Sequence, residues 1–185
     1  MRELSLHILD IVENGITAGG NCIWIEVDEA RKKDRLKIVI RDNGRGMPPE
    51  KIKNINDPFI TSRTTRRVGL GLSLLAAAAG RCEGSLRVDS QPEKGTEVTA
   101  TFRYHHIDRA PLGDMAATMS TLIIGNPGID FVYSHRIDGR DFSLDTRELR
   151  NEMEDFSLSD PVVVHHLGES IRSALKTLAS GEDKS

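Results

Sequence analysis

RDNGRGMPPE, residues 41–50, follows directly on the apolar run LKIVI at residues 36–40. A buried strand therefore ends in Asp42, Asn43, Gly44, Arg45 and Gly46. Asn-Gly is good turn chemistry, and a turn alone accounts for the stretch. The same residues also suit a ligand pocket. A carboxylate at a strand end can accept a hydrogen bond from a bound amine, and glycines let backbone come close to a ligand. The surrounding chain has to decide between these readings.

Upstream, Leu4, Ile8, Ile11, Val12 and Ile16 recur at helical spacing over residues 3–17, and Gly19-Gly20 closes that helix. CIWIEVDE (22–29) alternates and is rich in β-branched residues. With the charged turn ARKKDR it predicts a hairpin with LKIVIRD. Downstream, Pro48-Pro49-Glu50 predicts a short helix, and residues 56–69, NDPFITSRTTRRVG, have no clean period and read as a loop. LGLSLLAAAAGRC (70–82) reads as a helix closed by Gly80 or Gly84. SLRVDSQ and TEVTATFRY read as strands joined by PEKG. The order predicts an α+β fold, a two-layer α/β sandwich with helices on one face of a mixed sheet.

Composition shifts near residue 105. The expected organisation is a domain over 1–104, a linker over 105–120 beginning HHIDRAPLGDM, and a small α+β extension over 121–185. In the extension STLIIG (120–125) and IDFVYSHRIDGRDFSLD (129–145) read as strands, with Asp138-Gly139 as a hairpin turn. Asp145 and Glu148 have capping-box spacing for the helix TRELRNEMEDF. Asp160-Pro161 opens a last helix with Val164, Leu167, Ile171, Leu175 and Leu178 on one stripe. That helix is expected to pack on its own domain, with a homodimer or partner contact as the alternative.

Of the 185 residues, 29% are charged and 38% hydrophobic, which suits a soluble globular chain. A net charge of −3 and 4% aromatic residues argue against a nucleic-acid partner. No apolar run approaches a membrane span, so no membrane partner is expected. The N-terminal stretch, broken by Glu3, His7, Asp10 and Glu13, does not read as a signal peptide. Cys22 and Cys82 lack metal spacing and suit a reducing cytoplasm. His105-His106 and His165-His166 also lack a ligand pattern.

Four short stretches carry the chemistry. Asp10 and Asn14 are four apart on the first helix, so a carboxylate and an amide share one side and could hold a water and Mg²⁺ together. Asp42, Gly44 and Gly46 stand at the strand end. Gly69 and Gly71 precede a helix, whose N-terminal N–H groups favour phosphate, and arginines including Arg63 come just before them. Gly95-Thr96 begins the last strand of this part.

In this order the four resemble the GHKL superfamily, named for gyrase, the Hsp90 chaperones, histidine kinases and the MutL mismatch-repair proteins. DIVENGITAGGNCIWIEV and LKIVIRDNGRGM resemble the MutL-type boxes. DPFITSR, VGLGLSLL and KGTEVTATF are more similar to the later boxes of histidine kinases and anti-sigma-factor kinases. The resemblance implies a Bergerat ATP-binding fold with ATP and Mg²⁺ as cofactors. It implies that Asn14 ligates Mg²⁺, that Asp42 binds the adenine amine, and that Gly44, Gly46 and Met47 shape the base pocket. Residues 57–69 would be a short ATP lid carrying Thr61, Ser62 and Arg63. Gly69, Leu70, Gly71 and Leu72 would meet the phosphates, and Thr96 would support the adenine through a water.

One departure matters. The position four before the Mg²⁺ asparagine is Glu in the hydrolysing gyrase and MutL branches and in the anti-sigma kinases, where it acts as general base. Here it is Asp10, one methylene shorter, and a general base must reach its proton. Neither a phosphoacceptor helix pair nor a transducer domain is expected on this chain. The leading expectation is a cytoplasmic Mg·ATP-binding protein, a slow regulatory ATPase or nucleotide switch acting on a protein partner. An anti-sigma-factor-type protein serine/threonine kinase is the first alternative. A non-catalytic ATP/ADP-sensing subunit of a larger complex is the second. HRIDGRDFSLDTRELR (135–150) is similar to small proteins encoded beside NADH-linked iron hydrogenases, which implies a partner and no redox cofactor of its own.

Overall fold

The computed structural model describes residues 3–56, 70–152, 158 and 160–181. The elements run α1 (Leu4–Thr17), β1 (Cys22–Ala30), a 3₁₀ turn (Arg31–Lys33), β2 (Arg35–Asp42), α2 (Pro49–Asn56), α3 (Leu70–Arg81), β3 (Ser85–Gln91) and β4 (Gly95–Arg103). They continue with α4 (Met115–Gly125), β5 (Asp130–Ile137), β6 (Arg140–Asp145), α5 (Thr146–Glu152) and α6 (Pro161–Ser180). One mixed sheet has the order β3-β4-β2-β1-β5-β6, with β5 parallel to β1 and every other pair antiparallel. The expected two-layer sandwich is therefore present. Helices α1, α3, α4 and α6 cover one sheet face, and a single apolar core runs beneath them.

Strand period 2 builds that core in rows across the sheet. Leu86, Ala100, Ile38, Val27 and His135 stand opposite one another. Val88, Val98, Ile40, Ile25 and Tyr133 form the next row, and Ser90, Thr96, Asp42, Ile23 and Phe131 the third. Apolar rows thus give way to Ser90-Thr96-Asp42 where β2 ends.

The 121–185 extension does not form a sheet of its own: β5 and β6 prolong the sheet beyond β1. The segment 105–120, expected as linker, and STLIIG, expected as strand, need correction. Helix α4 begins at Met115 and contains STLIIG. The Asp114 carboxylate caps it by accepting from the Ala117 N–H at 2.8 Å. Met115, Ala116, Met119, Leu122 and Ile123 are buried at helical spacing. A short run of β-branched residues cannot outweigh a capped, buried stripe. The segment before α4 also caps α1, since the Leu4 and Ser5 N–H groups donate to the Pro111 and Leu112 carbonyls at 3.0 and 2.7 Å.

The other signals of the extension are present. Asp138 (φ 47°) and Gly139 (φ 92°) turn the β5–β6 hairpin with two left-handed residues, as the tightest hairpin loops require. Asp145 accepts from the Arg147 N–H at the start of α5, and Asp160 from Val162 at the start of α6. On α6 the stripe buries Val164, Ile171 and Leu178, and Gly168 lets the helix close on Ser120 of α4.

One buried network breaks the apolar face at the end away from Asp42. The Glu29 carboxylate meets His135 Nε2 at 2.8 Å, the Tyr104 hydroxyl at 2.9 Å and Arg31 at 3.1 Å, and Tyr133 Oη meets His135 Nδ1 at 2.7 Å. If Nε2 carries the imidazole proton it donates to Glu29, and Tyr133 donates to Nδ1, so every polar atom has a partner. Burial pushes the Glu29 carboxyl up, but the hydrogen bonds from His135 and Tyr104 and the nearby positive charge bring it down to about 2.

Candidate functional site

Where the third row leaves the core, a cavity of about 260 Å³ opens between α1, α2, the end of β2 and β4. Its lining includes Asn14, Asp42, Gly46, Met47, Leu72 and Thr96, all expected from the sequence, together with Ile11, Gly15, Thr17, Ala18, Arg45, Lys51 and Val98. Asp42 is only 8% exposed. Burial raises its carboxyl above the usual carboxylate range, and hydrogen bonds from the Gly44 and Thr96 N–H groups only partly oppose this. The Gly44 bond is 2.8 Å.

Close packing around Asp42 depends on absent Cβ atoms. A Cβ on Gly15 would lie 2.9 Å from Asp42 Cβ, and one on Gly44 2.9 Å from the Ala18 carbonyl. Gly46, at φ +63°, packs against the Gln91 carbonyl at the end of β3, where a Cβ would sit 1.9 Å away. Its glycine requirement is thus set first by chain packing, with the cavity as a consequence. Asn43 serves the turn: its amide joins Asn21 and accepts from the Cys22 N–H.

Asn14 is exposed at the cavity wall on the last turns of α1. Asp10, one turn earlier, is partly exposed and does not line the cavity. It lies against the first turn of α3, where a Gly71 Cβ would come 3.1 Å from Asp10 Cβ. Leu70 starts α3. Thr61, Ser62, Arg63, Gly69 and the whole expected lid over 57–69 lie outside the described residues. His7, which the sequence suggests as a surface or partly buried residue, is buried, and among the described residues its Nδ1 has no hydrogen-bond partner. Among the described residues no group of three His, Cys, Asp or Glu side chains could hold a metal. A Mg²⁺ here would rest on Asn14 and on ligand oxygens, which suits an ion that keeps few protein ligands.

Two contributors had readable but unread signals. Gly15 is a glycine inside a helical pattern, a substitution that costs about 1 kcal/mol against Ala and so asks for a packing reason. Ser90 is a polar residue at the third inward position of Leu86, Val88, Ser90, where the strand's period calls for an apolar one. It accepts from the Met47 N–H at 2.8 Å, donates to the Gly95 carbonyl at 2.8 Å and stands 2.9 Å from the Thr96 hydroxyl.

Residues 2–106 match the family model described as histidine kinase-, DNA gyrase B-, and HSP90-like ATPase. The match covers more than half of the chain, and the chain belongs to this family, with its Bergerat-type two-layer architecture. Sensor protein kinase FleS of Pseudomonas aeruginosa is 37% identical over 105 residues, 57% of this chain and 25% of that protein. Sporulation kinase C of Bacillus subtilis is 30% identical over 94 residues, 51% of this chain and 22% of that one. The chain therefore spans a quarter or less of the length of these relatives. A crystal structure of the N-terminal domain of a DNA repair protein superposes with a TM-score of 0.53 at 16% identity, covering 78% of this chain and 53% of that one; the likeness is one of fold. No helix among the described residues is long and apolar enough to cross a membrane.

Proposed function

We propose that this protein binds ATP with Mg²⁺ in the cavity between α1 and the end of β2, and acts as a nucleotide-dependent regulator of a protein partner in the cytoplasm. The observation that carries the reading is the buried Asp42 carboxylate at a cavity wall, packed against glycines and set in a chain of this ATPase family. A buried carboxylate accepts hydrogen bonds and is the natural partner of an exocyclic amine. Arg45 and Lys51, both at the cavity, supply positive charge for an anionic ligand. Asn14 would give its amide oxygen to Mg²⁺, which would neutralise phosphate charge when bound.

Asp10 is the residue for turnover. Its carboxylate would orient and deprotonate a water or a substrate hydroxyl, and its reach limits the rate. Slow hydrolysis follows from the shorter side chain. Its place against α3, outside the cavity lining, favours a second reading in which the chain binds nucleotide and reports it without turnover. Phosphotransfer to a serine or threonine of the partner uses the same groups.

Calorimetric titration with ATP and ADP, with and without Mg²⁺, followed by phosphate release on the same sample, tests these readings. Mg²⁺-dependent binding with slow release that Asp10→Asn abolishes, binding intact, is the expected result. Binding without release moves the reading to the sensing module or to a kinase without its substrate. No binding of either nucleotide ends the proposal.

A further inference from the structure

We propose that Ser90 is a specificity-determining positioning residue. It holds the proton of the Thr96 hydroxyl away from the cavity, so that the Thr96–Asp42 wall presents hydrogen-bond acceptors to the base of its ligand. The inference rests on the nucleotide reading above and goes one step further, to how an amino-bearing base is told from an oxo-bearing one.

A hydroxyl has one proton to give and two lone pairs to offer. The Gly95 carbonyl can only accept, and it lies 2.8 Å from Ser90 Oγ, so the Ser90 proton goes there. The Met47 N–H occupies one Ser90 lone pair at 2.8 Å. Thr96 Oγ1, at 2.9 Å, must then donate into the other. With its proton committed to Ser90, the Thr96 hydroxyl has only lone pairs left for the cavity that it lines. Asp42, directly opposite Thr96 in the strand register, is an acceptor whenever ionised. Ser90, Thr96 and Asp42 thus form one row whose donor capacity is directed into the protein. The complement is a group rich in N–H donors, such as the 6-amino group of adenine. A 6-oxo group in direct contact with this row would set acceptor against acceptor, and such mismatches discriminate strongly because buried polar groups are left unpaired.

Ser90 touches no ligand in this account, so its signature is a ratio and not an affinity. The experiment is calorimetric titration of the full chain with ADP and with inosine diphosphate, which differ in the amino and oxo groups of the base. It uses wild type, Ser90→Ala and Ser90→Thr. Wild type is expected to prefer ADP by roughly a hundredfold. Ser90→Ala frees the Thr96 hydroxyl to turn and donate, so the preference should fall by about tenfold. Ser90→Thr keeps a hydroxyl in place and should restore it. Should Ser90→Ala fail to fold, Ser90→Cys, whose sulfur is a poor acceptor, replaces it with the same expectation. If the variants weaken both nucleotides equally and leave the ratio unchanged, Ser90 is only a structural tie and the inference falls while the nucleotide reading stands. Wild type that binds both nucleotides alike has the same consequence. Wild type that binds neither overturns the nucleotide reading and the inference with it.

Discussion

At one end of the inner sheet face Asp42, Thr96 and Ser90 stand in a row; at the other, Glu29, His135 and Tyr133 gather beneath Tyr104 and Arg31. Both groups are polar, and each is built around one buried carboxyl group. Glu29 meets three side-chain partners and is held at about 2. Asp42 receives two backbone N–H groups, and burial still raises it. The network around Glu29 is closed and gains from being folded. The row around Asp42 is left short of donors at a cavity wall, which is the feature that the proposed nucleotide site uses. The same sheet therefore holds one cluster that serves the fold and one that the fold must tolerate.

His135→Ala is the hardest blow to this contrast. It leaves the buried Glu29 charge short of its main partner and Tyr133 without an acceptor, so a loss of about 3–5 kcal/mol in denaturant unfolding is expected. ADP affinity of the folded fraction should stay within about twofold, since one such change in Kd is only a few tenths of a kcal/mol. A large fall in affinity would mean that the two ends are coupled. Asp42→Asn should do the reverse: ADP binding weakens by roughly ten- to a hundredfold, the worth of a charge-assisted hydrogen bond. Stability should hold or rise, because an unfavourably buried charge has gone.

Acid sharpens the comparison. Glu29 has a folded pKa below its unfolded value, so its contribution is complete above about 4.5 and is lost as pH falls towards about 2. Asp42 has the opposite sign: its raised folded pKa favours the folded state in acid, and that contribution disappears as pH rises through it. Denaturation curves between pH 7 and about 3 should therefore lose a segment of their acid slope in Glu29→Gln and steepen in Asp42→Asn. Equal slopes in both variants would dissolve the distinction. The smallest effect is expected from Gly15→Ala. Helix propensity gains, but the new Cβ meets Asp42 at 2.9 Å, so ADP should bind several-fold more weakly for a stability change of about 1 kcal/mol.

The first four strands and α1 were legible because their signals are local: period 3.6 up to Gly19-Gly20, then period 2 on both sides of a charged turn. The caps at Asp145 and Asp160 were legible for the same reason. STLIIG misled because β-branched composition was all that a six-residue window offered. Its buried stripe is completed by Met115 and Met119, upstream, and packs against α6. The pairing of β5 with β1 has no local trace, since parallel neighbours need no shared turn. At the site, Asn14, Asp42, Gly46, Met47, Leu72 and Thr96 were expected and do meet at one cavity. Asp10, one turn before Asn14, does not line that cavity and lies against the first turn of α3, where Gly71 was expected to meet the phosphates. Gly15 and Ser90 were missed because each matters through what it leaves room for or holds, and neither bears a charge.

The parallel seam between β1 and β5 also has a consequence in time. Its register joins Cys22 to Asp130, so closing it spans a loop of about 100 residues, and such distant contacts form late. A nascent chain can fold α1 and the first hairpin early, while the hydrogen-bonding edge of β1 waits bare for a strand not yet synthesised. An unpaired edge of that kind invites pairing with the wrong chain. Until residue 137 has emerged, this protein is expected to be a client for chaperones.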